Sequence, residues 1–172
     1  VALLTTMLAD NIQTAKGRIR SLSDRDELTD IYNIRAFMRL AAAEHTRSAR
    51  MERPYSILMV DVDNLRRIND SFGHEAGNRA LKLVREALLR ITRTEDIVMR
   101  FGGDEFILCL PNTDREVAAE VAQRVRNVVY ASTLEANVEM VRVNVSVGAA
   151  SYPIDGKDLE AVMRAADQSM YK

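Results

Sequence analysis

Residues 55–62 constrain the fold more than any other stretch. Ile57, Leu58, Met59, Val60 and Val62 are apolar at odd and even positions alike. Successive side chains of a strand point to opposite faces, so such a run presents apolar groups on both sides. It reads as a buried central strand, covered above and below. The run closes on Asp61 and Asp63, two carboxylates at the strand's end.

The remaining elements are arranged around that strand. An amphipathic helix is expected over residues 34–51, stopped by Pro54. After the strand, residues 64–69 can form a short helix, and residues 71–77, with two glycines, read as a turn. A helix over 78–92 places Ala80, Leu81, Val84, Leu88 and Ile91 on one side. Residues 96–110 read as a hairpin: two apolar arms, 97–101 and 106–110, joined through Gly102-Gly103. A helix over 115–130, a strand over 138–151 with Val141, Val143, Val145 and Val147 alternating, and a helix from 157 to the end complete the chain. The order implies an α+β fold, a mostly antiparallel sheet with helices on its faces.

Residues 1–23 read as a separate helix. Leu8, Ile12, Ala15, Ile19 and Leu22 recur at spacings of four and three, the repeat that keeps one stripe facing a partner in a coiled coil. A parallel dimer stalk is expected; packing against the chain's own domain is the alternative. Residues 24–33 look like a linker.

At 172 residues, 47% apolar and 28% charged, the chain suits one folded domain with an appended element. Its net charge of −1 argues against coating a nucleic acid polymer, although a small anionic ligand needs only local positive groups. The single Cys109 lies in an apolar arm and reads as a buried, inert thiol; a reducing, cytoplasmic setting is expected. No apolar run approaches the ~20 residues of a membrane helix, so no direct membrane contact is expected of this fragment. The chain begins without Met, and the expectation is a fragment of a larger protein, with a membrane segment upstream left open.

Three carboxylates stand out. Asp61 ends an apolar strand, and Asp104-Glu105 sits at the glycine turn. Together they would form a hard oxygen site suited to Mg²⁺, which takes few protein carboxylates and keeps substrate phosphates as ligands. A merely polar hairpin turn is the competing reading. Residues 63–66 open a helix after a strand, where free backbone N–H groups can cradle phosphate.

The motif Arg100-Phe101-Gly102-Gly103-Asp104-Glu105-Phe106 resembles the signature of the GGDEF family of diguanylate cyclases. Asp26-Glu27-Leu28-Thr29 with Asn33, then Asp61-Val62-Asp63, Ile68-Asn69-Asp70, Gly73-His74 and Gly77, resemble further motifs of that family in order. So do Ser146-Val147-Gly148 and Ala166-Asp167 with Tyr171. The resemblance divides the chain into a stalk, residues 1–25, and a cyclase domain, residues 26–172, that stops within its last helix. It implies a palm-like, ferredoxin-related sheet.

It also implies roles. Asp61 and Asp104 would hold Mg²⁺ (or Mn²⁺), helped by the Val62 carbonyl. Glu105 would sit beside the metal and help deprotonate a ribose 3′-OH. Asn64, Leu65 and Arg66 would cradle the GTP phosphates, with Gly102 and Gly103 leaving room, and Asn69 and Asn78 would face guanine. The implied reaction joins two GTP into cyclic di-GMP with loss of pyrophosphate, between two domains of a homodimer. Arg93 and Asp96 match the family's product-inhibition motif.

The match departs from the pattern at several positions. Asn78 stands where the family has a guanine-reading Asp, and Asp30 where it has Gly. Leu65-Arg66 replaces Phe-Lys, and Ile34 replaces Arg. The family's phosphate-binding Lys and Arg would fall beyond Lys172. Two readings follow: an active cyclase, or a degenerate domain that binds GTP or cyclic di-GMP as a regulatory module.

Overall fold

The computed structural model describes residues 24–170. The stalk helix expected over residues 1–23, and Tyr171, lie outside them. Strand β1 (Tyr55–Asp63) occupies the centre of a four-stranded sheet of order β2-β3-β1-β6. β2 is Ile97–Gly102, β3 is Glu105–Pro111 and β6 is Asn144–Tyr152. Every pairing is antiparallel, which bears out the α+β reading.

The two-sided apolarity of β1 is used in full. Leu58, Val60 and Val62 enter one core, beneath α2 (Leu65–Phe72), α3 (His74–Ile91) and α4 (Arg115–Ala131). Tyr55, Ile57 and Met59 enter a second core, beneath α1 (Ile34–Met51) and α5 (Leu159–Ser169). The helices are capped from the sequence: Asn33, Asp114 and Asp158 accept from the N–H groups of Ala36, Val117 and Ala161. Cys109 is fully buried, and burial pushes its thiol pKa up, in keeping with an inert side chain.

Three expectations need correction. Residues 24–33 are no open linker. Asp26 accepts from the Thr29 N–H at 2.9 Å and hydroxyl at 2.6 Å, and Tyr32 pairs with Met99 at the edge of β2. Asp30, at the family's Gly position, takes φ 53, a left-handed conformation that Asp tolerates better than most residues. The turn expected over 71–77 shrinks to Gly73 (φ 86), which ends α2 and begins α3. One positive-φ residue suffices for the reversal, so residues 74–77 are helical.

The strand expected over 138–151 divides. β5 (Glu139–Arg142) forms a separate hairpin with β4 (Thr133–Ala136), and only β6 joins the main sheet. The alternating valines continue through the break, so periodicity hid it. Asn137 and Val138 turn the small hairpin with φ of 50 and 70.

Gly148 sets the spacing of β6 and α5. A Cβ there would meet the Ala166 carbonyl oxygen and come within 2.7 Å of the Met170 nitrogen. Both obstacles are backbone and cannot rotate away. Gly148→Ala should therefore lower unfolding free energy by about 1–3 kcal/mol, the usual cost of overpacking. Urea denaturation measures it; an unchanged midpoint would mean another contact sets the distance.

Candidate active site

The carboxylates converge because β1 and β3 pair in register. Asp61 lies directly opposite Glu105. The Val62 N–H donates to the Asp104 carbonyl at 2.9 Å, which fastens the turn to β1. Gly102 (φ 142) and Gly103 (φ 55) adopt backbone open chiefly to glycine, and nothing lies within 4 Å of a Cβ built on either. The turn thus leaves space beside the carboxylates.

That proximity disturbs their ionisation. Burial and the negative charges of Asp104 and Asp63 push the Asp61 pKa up to about 6. Burial and the charges of Asp61, Asp104 and Asp167 push Glu105 up to about 7. Crowded like charges at half-buried positions favour a bound cation. Among the described residues no three His, Cys, Asp or Glu side chains form a ready-made metal cage. Mg²⁺ does not require one: one or two carboxylates, a backbone oxygen, water and substrate phosphate complete its shell. The donor set fits a hard divalent cation on those terms.

Next along the chain, Asn64 enters the left-handed region (φ 58) and α2 starts without a side-chain cap. Its first N–H groups are therefore available. Leu65 is buried, so only its backbone can face a ligand, whereas the Arg66 side chain is 95% exposed. Asn69 lies one turn beyond, packed on Gly77, and Asn78 is the exposed residue that follows. The two asparagines thus lie on either side of the α2–α3 corner. Asp63 accepts from the Ser146 hydroxyl at 2.7 Å and is braced from β6.

Arg93 and Asp96 lie elsewhere, at the far end of β2. Six residues of extended chain separate Asp96 from Gly102, about 20 Å. Together with Arg25, Tyr32, Thr92 and Thr94 they line an open cavity of about 330 Å³. The Asp96 carboxylate accepts from the Arg93 N–H at 2.7 Å, so it also closes the turn.

Residue patterns alone missed Arg100. Its guanidinium is only 13% exposed and bridges two segments. It reaches the Asp26 carboxylate at 3.3 Å and the Gly103 carbonyl at 2.8 Å. Burial acts to raise the Asp26 pKa, but hydrogen bonds from Thr29 and the charge of Arg100 hold it below its ordinary range. The segment that follows the N-terminal residues is thereby joined to the glycine turn. Arg100 and Asp26 both lie in motifs read from the sequence, but nothing there joined one to the other.

The carboxylate cluster costs stability at high pH. Folded Glu105 keeps its proton to about pH 7, whereas its ordinary pKa is 4.5. The folded state holds more protons across that window, so stability falls as pH rises through it. Without divalent metal, Glu105→Gln should be more stable than the parent at pH 8 by about 1 kcal/mol after solvent screening. The difference should shrink toward pH 5. Urea titrations at both pH values test this, and a parent chain that matches or exceeds the variant at pH 8 would contradict it.

Comparison with known proteins agrees with the geometry. The family model described as diguanylate cyclase, GGDEF domain, matches residues 23–172. Diguanylate cyclase A of Treponema denticola is 36% identical over 117 residues, 68% of this chain and 32% of that protein. Diguanylate cyclase DosC of Escherichia coli is 34% identical over 147 residues, 85% of this chain and 32% of that protein. The crystal structure of diguanylate cyclase SiaD from Pseudomonas aeruginosa, solved with its activator SiaC, has a TM-score of 0.80 and 31% identity. It covers 99% of this chain and 65% of that one. The chain spans about a third of the length of the two curated relatives. The paired carboxylates at a glycine turn, the strand order and the matched residues together show that this chain belongs to the GGDEF family of diguanylate cyclases.

Proposed function

We propose that this domain condenses two GTP molecules into cyclic di-GMP, releasing pyrophosphate. The observation that carries the reading is the pairing of Asp61 with Glu105 beside Asp104, at a turn with open space. A binding module has no use for carboxylates crowded so that the pKa values of Asp61 and Glu105 are pushed up. The degenerate reading is accordingly the weaker one.

Asp61 and Asp104 would hold the divalent cation, with the Val62 carbonyl as a further oxygen. A bound Mg²⁺ or Mn²⁺ supplies charge stabilisation to the attacking and leaving oxygens of an in-line displacement at the α-phosphate. The N–H groups at Asn64, Leu65 and Arg66 receive phosphate oxygens, and Asn69 and Asn78 read the base. Glu105, opposite Asp61 at the glycine turn, would take the proton from the 3′-OH. One site holds one GTP, so two copies must face each other in a homodimer. Arg93 and Asp96, remote from the carboxylates, would bind the product and restrain synthesis. Among the described residues no helix is long and apolar enough to cross a membrane; a cytoplasmic location suits the nucleotide substrate.

Incubation with GTP and Mg²⁺, followed by chromatography for cyclic di-GMP, tests the reading. Asp104→Asn should reduce synthesis about 100-fold or more, since several kcal/mol of transition-state stabilisation rest on the cation. Its circular dichroism should stay unchanged, because the carboxylate sits at a turn. Full turnover by that variant would remove the metal role.

Arg93→Ala should weaken cyclic di-GMP binding by ~1–3 kcal/mol, one charged hydrogen bond, while initial turnover is kept. Unchanged product affinity by calorimetry would show that this cavity is not an inhibitory site.

A further inference from the structure

Gly77 lies buried in the first turns of α3. It is not among the glycines with positive φ, so its backbone would accept any residue. Glycine in a helix interior is unfavourable compared with alanine, and the neighbouring Ala76 and Ala80 show that a methyl is tolerated on this buried face. What Gly77 lacks is space. A Cβ there would fall on the Asn69 Oδ1 and within 2.8 Å of its Cγ and 3.3 Å of its Nδ2.

The Asn69 carboxamide therefore occupies the volume that a side chain at 77 would fill. Its backbone is fixed from both directions: the Asn69 carbonyl accepts from the Gly73 N–H at 2.8 Å, and Ile68 is anchored in the core. The carboxamide itself has χ1 and χ2 free to turn. Among the described residues no hydrogen bond fixes it, so packing on the bare Cα of Gly77 decides where it points.

We propose that Gly77 is a specificity-positioning residue: its missing Cβ holds the Asn69 amide in the orientation that reads the nucleotide base. The inference rests on the base-reading role proposed above for Asn69. Gly77 touches no substrate; it acts through Asn69. A methyl at 77 forces the amide into another rotamer, and selectivity for guanine over adenine falls while the phosphate and metal contacts stay in place.

GDP and ADP, each with Mg²⁺, serve as probes that cannot complete the condensation. Their dissociation constants are to be measured for the parent chain, Asn69→Ala, Gly77→Ala and the double variant. Asn69→Ala should reduce the preference for GDP about tenfold, equivalent to ~1.4 kcal/mol. Gly77→Ala should reduce it by a similar factor, and the double variant no further than either single one. In the Asn69→Ala background, Gly77→Ala should raise the melting temperature, because the clash is gone and alanine is the better helix former. If Gly77→Ala keeps the parental preference while Asn69→Ala loses it, or if the two losses multiply, the positioning role is overturned and base reading by Asn69 stands. If Asn69→Ala keeps the parental preference, base reading itself fails and this inference falls with it.

Discussion

The antiparallel pairing of β1 with β3 on one side and β6 on the other is the constraint on which the rest of the structure depends. It seals the backbone of a strand whose two faces are both apolar, and each face then recruits its own helices. The same register puts Asp61 opposite Glu105 and leaves Asp63 against the Ser146 hydroxyl. A slip of one residue would turn every side chain of β1 to the other face. It would exchange the side chains that fill the two cores and part Asp61 from Glu105. Core packing and site assembly are therefore one requirement, met by one set of strand hydrogen bonds.

The site works against the fold at that point. Carboxylates crowded at half-buried positions repel one another, and Gly102 and Gly103 lose more conformational freedom on folding than other residues would. Local ties offset this. The Val62 N–H holds the Asp104 carbonyl, and Arg100 holds the Gly103 carbonyl while pairing with Asp26. Through Asp26 the turn is tied to residues 24–33, whose own hydrogen bonds fasten them to the edge of β2. A planar guanidinium serves two acceptors at once in a way that a lysine ammonium does not. A displacement of residues 24–33 would thus be felt at the glycine turn, through the Arg100 side chain and through the backbone of β2.

Much of this could be read from residue order. Asp61 and Asp104-Glu105 stand out because charge at the end of an apolar strand or at a glycine turn is conspicuous, and the hairpin around Gly102-Gly103 formed as expected. Asn69 and Asn78 gave no such sign, since polar residues on helices are ordinary. Their placement depends on Gly73 taking the whole reversal and on Gly77 being helical. Both glycines looked like turn residues. The division of residues 138–151 was hidden for a related reason: a steady alternation of valines satisfies either one strand or two.

The sequence by itself determined the local terms: most of the segments that are helix or strand, that β1 must be central, and which carboxylates sit at reachable ends. Those follow from side-chain periodicity and backbone preference within a few residues. Only the tertiary structure decided the register that joins Asp61 to Glu105, the contact of Asn69 with Gly77, the reach of Arg100 from Asp26 to Gly103, and the distance of the Arg93 cavity from the turn. Those depend on elements meeting in space, Asp26 and Arg100 across 74 residues and Asn69 and Gly77 across a helix corner, where hydrogen-bond pairing and close packing, not local preference, select the arrangement.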